Sequence, residues 1–321
     1  MARSWGPAGV SGEGGGRRRP AAGGAVLWGR LVIAVRAPTY CLRIPATVYD
    51  RPVWLTWINC AIEVPHSMDI LTTREGGIFT IELNRPQKKN AITADMYGAL
   101  AAALIEASET PAVRAVMIVG KRDVFTAGND LQDFMDHPPS SDDSPVFRFL
   151  REISRAPKPL IAAVCGPAVG VGTTMLLHCD LVYAGDNARF SLPFAQLGLV
   201  PEAASSLLLP ELFGYQRAAE RLLLGEPFGA DEALQMGLVS AVLPADAVVG
   251  HARLQADKLV ALPAAAVRAT KRLMKQSRIE AIGSRMLLEG EEFRERLQSP
   301  EAREAFAAFF ERRRPDFSRF D

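Results

Sequence analysis

The sequence has few of the residues on which metal and disulfide sites are usually built. Its four cysteines form no CxxC pair, and its four histidines show no metal-ligand spacing such as HExxH. Two of the cysteines lie in apolar runs, so we expect reduced thiols rather than a disulfide framework. His178 also lies on an apolar segment, which favours a hydrogen-bonded core histidine over a ligand. We therefore predict no metal site.

The sequence also lacks a charge excess and a long apolar run. The formal net charge of +1 gives no reason to expect a nucleic-acid partner. The apolar run at 25–35 is broken by Arg30 and is far shorter than a membrane span. We predict neither a nucleic-acid nor a membrane partner, and 321 residues are enough for a sizeable core.

Residues 1–67 differ from the rest in being rich in Gly, Ala and Arg, with acidic residues almost absent before Glu63. Such a start is typical of a transit peptide, or of a secretory signal when an apolar run follows. Met68, however, leads straight into the first strand pattern. We predict that residues 1–67 are a disordered leader or an over-extended start, and that the protein is bacterial and cytoplasmic. A mitochondrial location follows only if the leader is a transit peptide.

Beyond this segment the hydrophobic pattern becomes regular. Apolar runs and partial alternation predict strands at 77–83, 113–119, 160–164 and 179–184. Thr93 is a suitable N-cap for a helix over 94–108. The last third has helical spacing nearly throughout. The sequence therefore predicts an α/β core followed by a helical region.

The segment 125–131, Phe-Thr-Ala-Gly-Asn-Asp-Leu, follows an apolar run that predicts a buried parallel strand. N–H groups that lose their ladder partners at such a strand end can be aimed at an anion. Gly128 permits close approach of the backbone, and Asn129 tolerates unusual dihedral angles. Because Gly-Asn is also common turn chemistry, the segment alone fits either an ordinary turn or half of an oxyanion hole with the N–H of Asn129 as donor.

A second glycine-rich segment, 166–172, precedes a predicted helix, where N–H groups point towards a ligand. It is not a dinucleotide fingerprint, because Met175 stands where the third glycine belongs, and no Gly-Lys-Ser/Thr of a P-loop follows. The glycines either permit close helix packing or present a second N–H donor, at Val171.

Glu202 has two competing interpretations. Pro201 suits the first position of a helix, which would place Glu202 in a first turn where the macrodipole favours a carboxylate. Its apolar neighbours Val200, Ala203 and Ala204 would instead desolvate the carboxyl group and raise its basicity. Glu202 is thus either a helix-terminus carboxylate or a catalytic base.

These pieces, in this order, resemble the crotonase superfamily, the enoyl-CoA hydratase and isomerase family, over roughly residues 68–317. The resemblance rests on residues 84–86, 89–91, 125–131, 166–172, 179–184 and 232–239. It implies a spiral of ββα units over residues 68–262, which bind CoA, and a helical oligomerisation region over 263–321. It further implies an acyl-CoA thioester substrate, no cofactor besides the CoA of that substrate, and a homotrimer or hexamer.

Carried over residue by residue, the family's oxyanion hole falls on Asn129 and Val171. Substrate and CoA binding falls on Lys89, Asn90, Ala91, Ala127, Gly128, Asp130, Leu131 and Gly170. The two glutamates of the hydratases fall on Thr174 and Phe194, so their two-carboxylate addition of water is not expected. Residues 193–198 with Pro201 and Glu202 look like the peroxisomal-type Δ3,Δ2-enoyl-CoA isomerases and their bacterial relatives.

The resemblance therefore implies an enzyme of fatty-acid β-oxidation that shifts a 3-enoyl-CoA double bond to 2-enoyl-CoA, with Glu202 as the single acid/base. One alternative is hydration of 2-enoyl-CoA, with Glu202 activating water. Another is a CoA-binding interaction module without catalysis. Decarboxylation or dehalogenation on the same scaffold stays open as well, because fold alone does not fix the chemistry.

Overall fold

The computed structural model describes residues 68–320, and the predictions made for residues 1–67 lie outside this range. The strands are β1 Ile70–Glu75, β2 Ile78–Leu83, β3 Ala115–Val119, β4 Leu160–Val164, β5 Pro167–Val169, β6 Leu181–Gly185, β7 Arg189–Ser191, β8 Phe228–Gly229 and β9 Ala241–Leu243. The helices are α1 Ala94–Glu109, α2 Leu131–Asp136, α3 Pro145–Arg155, α4 Val171–Thr174, α5 Ser205–Phe213, α6 Tyr215–Ala219, α7 Ala230–Gln235, α8 Val248–Ala261, α9 Ala264–Gln276, α10 Ile279–Leu297 and α11 Pro300–Glu311.

The strands form two sheets. The larger has the order β1-β2-β3-β4-β6-β9 and is parallel except for the β1–β2 pair, and the smaller has the order β5-β7-β8. Strand β4 of the larger sheet is followed by β5 of the smaller sheet and then by α4. Strand β6 of the larger sheet is followed in the same way by β7 of the smaller sheet and then by α5. This succession confirms the predicted spiral of ββα units with C-terminal helices.

The larger sheet is covered on both faces, which explains the near-continuous apolar runs of its central strands. Every residue of β3 and β4 is buried. Alternate strand residues contribute to a main core with α1 and α3, and to a second core with Ala252 and Ala256 of α8. The covering helices leave the carboxyl ends of β3 and β4, where both glycine-rich segments begin, as the place for a site.

The helix predicted over 94–108 has the expected cap, since Thr93 Oγ1 accepts a hydrogen bond from the N–H of Met96 at 3.3 Å. Helix α2 was not predicted, because it has only six residues and leads into a segment rich in Asp, His, Pro and Ser. No helix in residues 68–320 is long and apolar enough to cross a bilayer.

Candidate active site

The two glycine-rich segments lie against each other. Thr126 and Ala168 form a parallel bridge, and the N–H of Val169 donates to the carbonyl oxygen of Thr126 at 3.0 Å. Gly128 has φ +87°, and a Cβ there would lie 2.9 Å from the carbonyl oxygen of Val169. Since a side chain at position 128 would both strain the backbone and collide with the second segment, glycine is required for this close approach.

The structure leaves two backbone donors unused in these segments. The N–H of Ile92 donates to Gly128 O at 2.8 Å and that of Asp130 to Ile92 O at 2.9 Å, which fixes Asn129 between them. Val171 is the first residue of α4, so its N–H has no partner within the helix. Among the hydrogen bonds of the described range, none uses the N–H of Asn129 or Val171. Two free donors on adjoining segments are what an oxyanion hole requires.

Gly170 immediately precedes α4 and has φ +55°. Its N–H donates to the carbonyl oxygen of Ser191 at 2.9 Å. The Val171 side chain is buried in the main core rather than directed to solvent. The backbone at Val171 is therefore anchored on both sides of its free N–H.

Asn90 fastens the neighbouring turn to the first segment. It is completely buried; its Oδ1 accepts from the N–H of Arg85 at 2.7 Å, and its Nδ2 donates to Phe125 O at 3.0 Å. Thr126 Oγ1 donates to the Asn90 carbonyl at 2.6 Å. Because its side-chain amide is fully occupied by protein groups, Asn90 acts here as a structural residue.

The backbone of residues 89–91 was predicted to bind CoA. Each of its three N–H groups donates to a carbonyl within the turn 85–88, and the Lys89 carbonyl accepts from the N–H of Ala127 at 2.9 Å. The structure thus brings residues 89–91 and Ala127 together. Since the donors are occupied, a ligand at this turn would be held through carbonyl oxygens, which have a second lone pair.

Asp130 caps α2. Its carboxylate accepts from the N–H groups of Gln132 and Asp133, and from Arg85 at 2.7 Å. Partial burial alone would raise the pKa of Asp130, but the Arg85 hydrogen bond, the cap bonds and the Arg85 charge lower it. The carboxylate is occupied by protein donors, and Leu131 packs against the main core. The predicted substrate contacts of these two residues remain a prediction.

The turn that carries Glu202 differs from the prediction. Helix α5 begins at Ser205, so placing Pro201 and Glu202 in a first helical turn was wrong. Ala203 and Ala204, which separate Glu202 from α5, have φ +62° and +56°. These left-handed residues prevent the helix from extending back to Glu202. A left-handed conformation costs a non-glycine residue about 1–3 kcal/mol and persists only where the surroundings hold it. Backbone strain of this kind gathers at functional sites.

The environment of Glu202 decides between its two interpretations. The residue is only 4% exposed, and among the described residues its Oε1 has no hydrogen-bond partner. Burial, and secondly the charge of Glu289, raise the pKa of Glu202 to about 8. Desolvation therefore prevails over any dipole effect. A carboxyl group with a pKa near neutrality is suited both to remove a proton and to return it.

Glu289, on α10, was not foreseen from the sequence. It is buried and accepts three hydrogen bonds, from Ala204 N at 2.6 Å, Ser206 N at 2.9 Å and Ser206 Oγ at 2.6 Å. Burial raises the pKa of Glu289, and these bonds oppose that effect. Because donors stabilise the Glu289 anion and none reaches Glu202 Oε1, Glu289 ionises first and Glu202 keeps the proton.

Two further side chains of the site were missed or seen only in part. Tyr97 OH donates to Asn129 Oδ1, and burial, followed by the Glu202 charge, raises the pKa of Tyr97. His178 Nε2–H donates to the Ala203 carbonyl at 2.9 Å, and burial, followed by the Lys275 charge, lowers the pKa of His178 to about 4. His178 is thus a neutral, hydrogen-bonded core histidine, as predicted.

With this geometry in place, the chain can be compared with known proteins. The profile described as "Enoyl-CoA hydratase/isomerase" matches residues 73–319. The chain belongs to the enoyl-CoA hydratase/isomerase family.

Its relatives within this family include both kinds of enzyme. The chain is 37% identical over 222 residues to enoyl-CoA delta isomerase 2 of Rattus norvegicus, covering 67% of this chain and 56% of the relative. It is 31% identical over 250 residues to a probable enoyl-CoA hydratase, echA8, of Mycobacterium bovis, covering 78% and 97%. The chain spans just over half the length of the rat relative.

Solved structures show the same fold. The chain matches Pseudomonas aeruginosa OdaA with a TM-score of 0.74 and 49% identity, over 76% of this chain and 99% of that one. The similarities assign an enzyme of the enoyl-CoA hydratase/isomerase family. Because hydratases and isomerases both match, they do not choose between the two reactions.

The two positions that match the glutamates of the hydratases hold Thr174 and Phe194, so neither has a carboxylate. Thr174 is fully buried, and its hydroxyl has no hydrogen-bond partner within residues 68–320. Phe194 is 5% exposed and belongs to the main core. In the same part of the chain, no group of three or more His, Cys, Asp and Glu is arranged to hold a metal ion.

A cavity of about 140 Å³ reaches Glu202 from the space between α3 and α10. Phe147 and Leu150 of α3 and Met286 and Leu287 of α10 form its apolar walls. Mostly apolar pockets with a few placed polar groups are typical of small-molecule sites. The chain therefore has an apolar cavity next to the buried carboxyl group of Glu202.

Proposed function

We propose that the protein shifts the double bond of a 3-enoyl-CoA to the 2-position, with Glu202 as its only acid/base, in the metabolism of fatty acyl-CoA. The observation that carries this proposal is the buried carboxyl group of Glu202, whose Oε1 has no hydrogen-bond partner in the described residues and whose pKa burial raises to about 8. The positions matched to the two hydratase glutamates hold Thr174 and Phe194. One carboxylate is sufficient for proton transfer from C2 to C4, whereas two-carboxylate hydration needs a second.

The mechanism divides into two tasks. As Glu202 removes a proton from C2, negative charge develops on the thioester oxygen of a dienolate. The N–H groups of Asn129 and Val171 are the donors for that oxygen, and loss of one such donor typically costs about 10²–10³ in rate. Glu202 then returns the same proton to C4, so the reaction needs no net proton and no other reactant.

The apolar walls of the cavity beside Glu202 fit the hydrocarbon part of an acyl group. The turn at 89–91 and the segment 127–131 are the proposed CoA-contacting region, since they adjoin the free N–H of Asn129. Coenzyme A thereby enters as part of the substrate.

Hydration of 2-enoyl-CoA is the alternative that one observation favours. The chain is 31% identical to a probable enoyl-CoA hydratase over 78% of its length. Because Thr174 and Phe194 replace the two hydratase glutamates, Glu202 would then have to activate the attacking water alone.

Turnover of the full chain on 3-hexenoyl-CoA and crotonyl-CoA, measured in parallel, separates these functions. We expect 2-enoyl absorbance to grow with the first substrate and to persist with the second. Loss of crotonyl absorbance without isomerisation of 3-hexenoyl-CoA would move the protein to the hydratases. Tight acyl-CoA binding with turnover of neither would support a non-catalytic module.

We also propose that the protein forms a homotrimer or hexamer through its C-terminal helices. Leu262, Leu273 and Met274 are 49%, 69% and 65% exposed on the described chain. Large apolar side chains clustered on a surface are typical of interfaces. Light scattering of the purified protein would give the subunit number, and a monomer would contradict this proposal.

A further inference from the structure

The turn bearing Glu202 is held by a residue far away in the chain. Glu289 of α10 accepts from the N–H of Ala204, 85 positions earlier, and from both the N–H and the hydroxyl of Ser206. Arg285, one turn before Glu289, donates to the same Ser206 hydroxyl at 3.1 Å. Helix α10 thus contributes a buried network at the start of α5.

The turn needs such support for two reasons. Ala203 and Ala204 are both left-handed, a conformation that alanine rarely adopts. The N-cap of α5 is Ala204, which has no side-chain oxygen with which to satisfy the first N–H groups of the helix. The Glu289 carboxylate accepts instead from the N–H of Ser206 in the first turn and from the N–H of Ala204 itself. The N–H of Ser205 also donates to the Glu202 carbonyl at 3.0 Å, so the start of α5 is bonded directly to Glu202.

We propose that Glu289 is a positioning residue for Glu202, and that its ionised carboxylate holds the turn 202–204 in the shape that presents the base to the substrate. This inference rests on the proposed function and adds to it that α10 completes the acid–base half of the site.

A second effect follows from charge. Glu289 lines the same cavity as Glu202, so its negative charge disfavours ionisation of Glu202. The other ionisable groups around the pair are Tyr97 of α1, the neutral His178, Arg285 of α10, and Asp142, Arg151 and Arg155 at the cavity wall. Only Arg285 of this set joins the Glu289 network. Removing the Glu289 charge should therefore make Glu202 more acidic.

The test is Glu289→Gln in the full chain, with Glu292→Gln as the matched control. Glu292 is an exposed residue of the same helix α10, carries the same charge and has no hydrogen bond or ion pair within residues 68–320. In Glu289→Gln an NH2 group, which only donates, replaces one of the two carboxylate oxygens and must face either the Ala204 N–H or the donors of Ser206. We expect kcat on 3-hexenoyl-CoA to fall about 10²-fold through misplacement of the base, with KM little changed. The control should match wild type.

The pH profile distinguishes positioning from a general structural role. In Glu289→Gln the rise of kcat/KM with pH should move to lower pH, because the repelling charge is gone. A milder variant, Ser206→Ala, removes one of the three donors and should give an intermediate kcat even if Glu289→Gln folds poorly. A kcat equal to that of the control, or a loss of kcat without any shift of the pH profile, would overturn the inference.

An unfolding experiment keeps this inference separate from the proposed function. Melting temperatures of wild type, Glu202→Gln, Glu289→Gln and the double variant form a cycle at pH 6 and pH 9. We expect the two positions to be coupled, more strongly at pH 9 where both carboxyl groups are ionised. Absence of coupling at both pH values would refute the inference whatever reaction the enzyme catalyses. Failure to isomerise 3-hexenoyl-CoA with coupling intact would refute only the proposed function.

Discussion

The two halves of the candidate site are supported by different parts of the chain. The oxyanion half is held by contacts between two segments at the ends of neighbouring strands, through the Thr126–Ala168 bridge and the approach of Gly128 to Val169. The acid–base half is a strained turn that Glu289 fastens from a C-terminal helix. The comparison shows that one half is built into the sheet, whereas the other depends on the docking of α10.

The two halves also differ in how a side-chain substitution affects their functional groups. The oxyanion half uses backbone N–H groups, so a substitution that leaves the backbone in place leaves the donors in place. The acid–base half depends on one carboxyl group and on the burial that sets its pKa. Variants in the two halves should therefore produce different kinetic signatures.

The largest effect is expected at Glu202. Glu202→Gln keeps the size of the side chain but removes the base, and we expect kcat on 3-hexenoyl-CoA to fall by about 10²–10⁴ while acyl-CoA binding is kept. The exposed Glu226→Gln is the control and should behave as wild type. Full isomerase activity in a folded Glu202→Gln protein would contradict the role assigned to this residue.

Gly128→Ala tests the oxyanion half. A Cβ at φ +87° and 2.9 Å from the Val169 carbonyl oxygen must displace the segment and with it the N–H of Asn129. We expect a fall in kcat of about 10²-fold, the size typical of a lost donor, with the pH profile unchanged.

Gly98→Ala is the matched control for this variant. Gly98 lies within α1, where a Cβ would meet no atom within 4 Å, so the substitution should preserve activity and slightly raise the melting temperature. Equal losses in the two glycine variants would show that the tight approach at Gly128 has no special role.

A smaller effect, specific to the acid–base half, is the pH dependence. Because the pKa of Glu202 is raised to about 8 from 4.5, kcat/KM should climb with pH and level off above about 8. An unperturbed carboxylate would give a flat profile above pH 6. Measurement of kcat/KM from pH 5.5 to 9.5 checks this, and a flat profile would contradict a buried base.

The same shift has the opposite sign for stability. Between pH 4.5 and 8 the unfolded chain releases the Glu202 proton while the folded protein keeps it, so the free energy of unfolding falls as pH rises. Glu202→Gln should therefore gain melting temperature relative to wild type between pH 5 and pH 9. A constant difference between the two proteins would argue against the raised pKa.

The sequence allowed the oxyanion half to be predicted better than the acid–base half. Both glycine-rich segments follow apolar runs, and Gly128 indicated from the sequence either a turn or a close approach of the backbone, of which the structure shows the close approach. The two consecutive left-handed alanines, Ala203 and Ala204, have no comparable signal in the sequence. For this reason the helix was expected to begin at Pro201, whereas α5 begins at Ser205.

Glu289 could not be found from sequence for a related reason. It is one of three glutamates within residues 289–292, and all three suit an amphipathic helix. Only the packing of α10 on the start of α5 separates the buried Glu289 from its exposed neighbours. Local sequence patterns thus identify segments whose own backbone N–H groups act in the site. A side chain such as that of Glu289, which contacts a segment distant in the sequence, can be identified only from the structure.

The most direct test of a single shuttling carboxylate is to follow the proton itself. The full chain would be given 3-hexenoyl-CoA carrying deuterium at C2 in ordinary water, and the product of a single turnover analysed for deuterium at C4. Because Glu202 is buried, the account predicts that a measurable fraction of the deuterium removed from C2 reaches C4. Product whose new C4 hydrogen comes entirely from solvent, at the earliest times sampled, would contradict it.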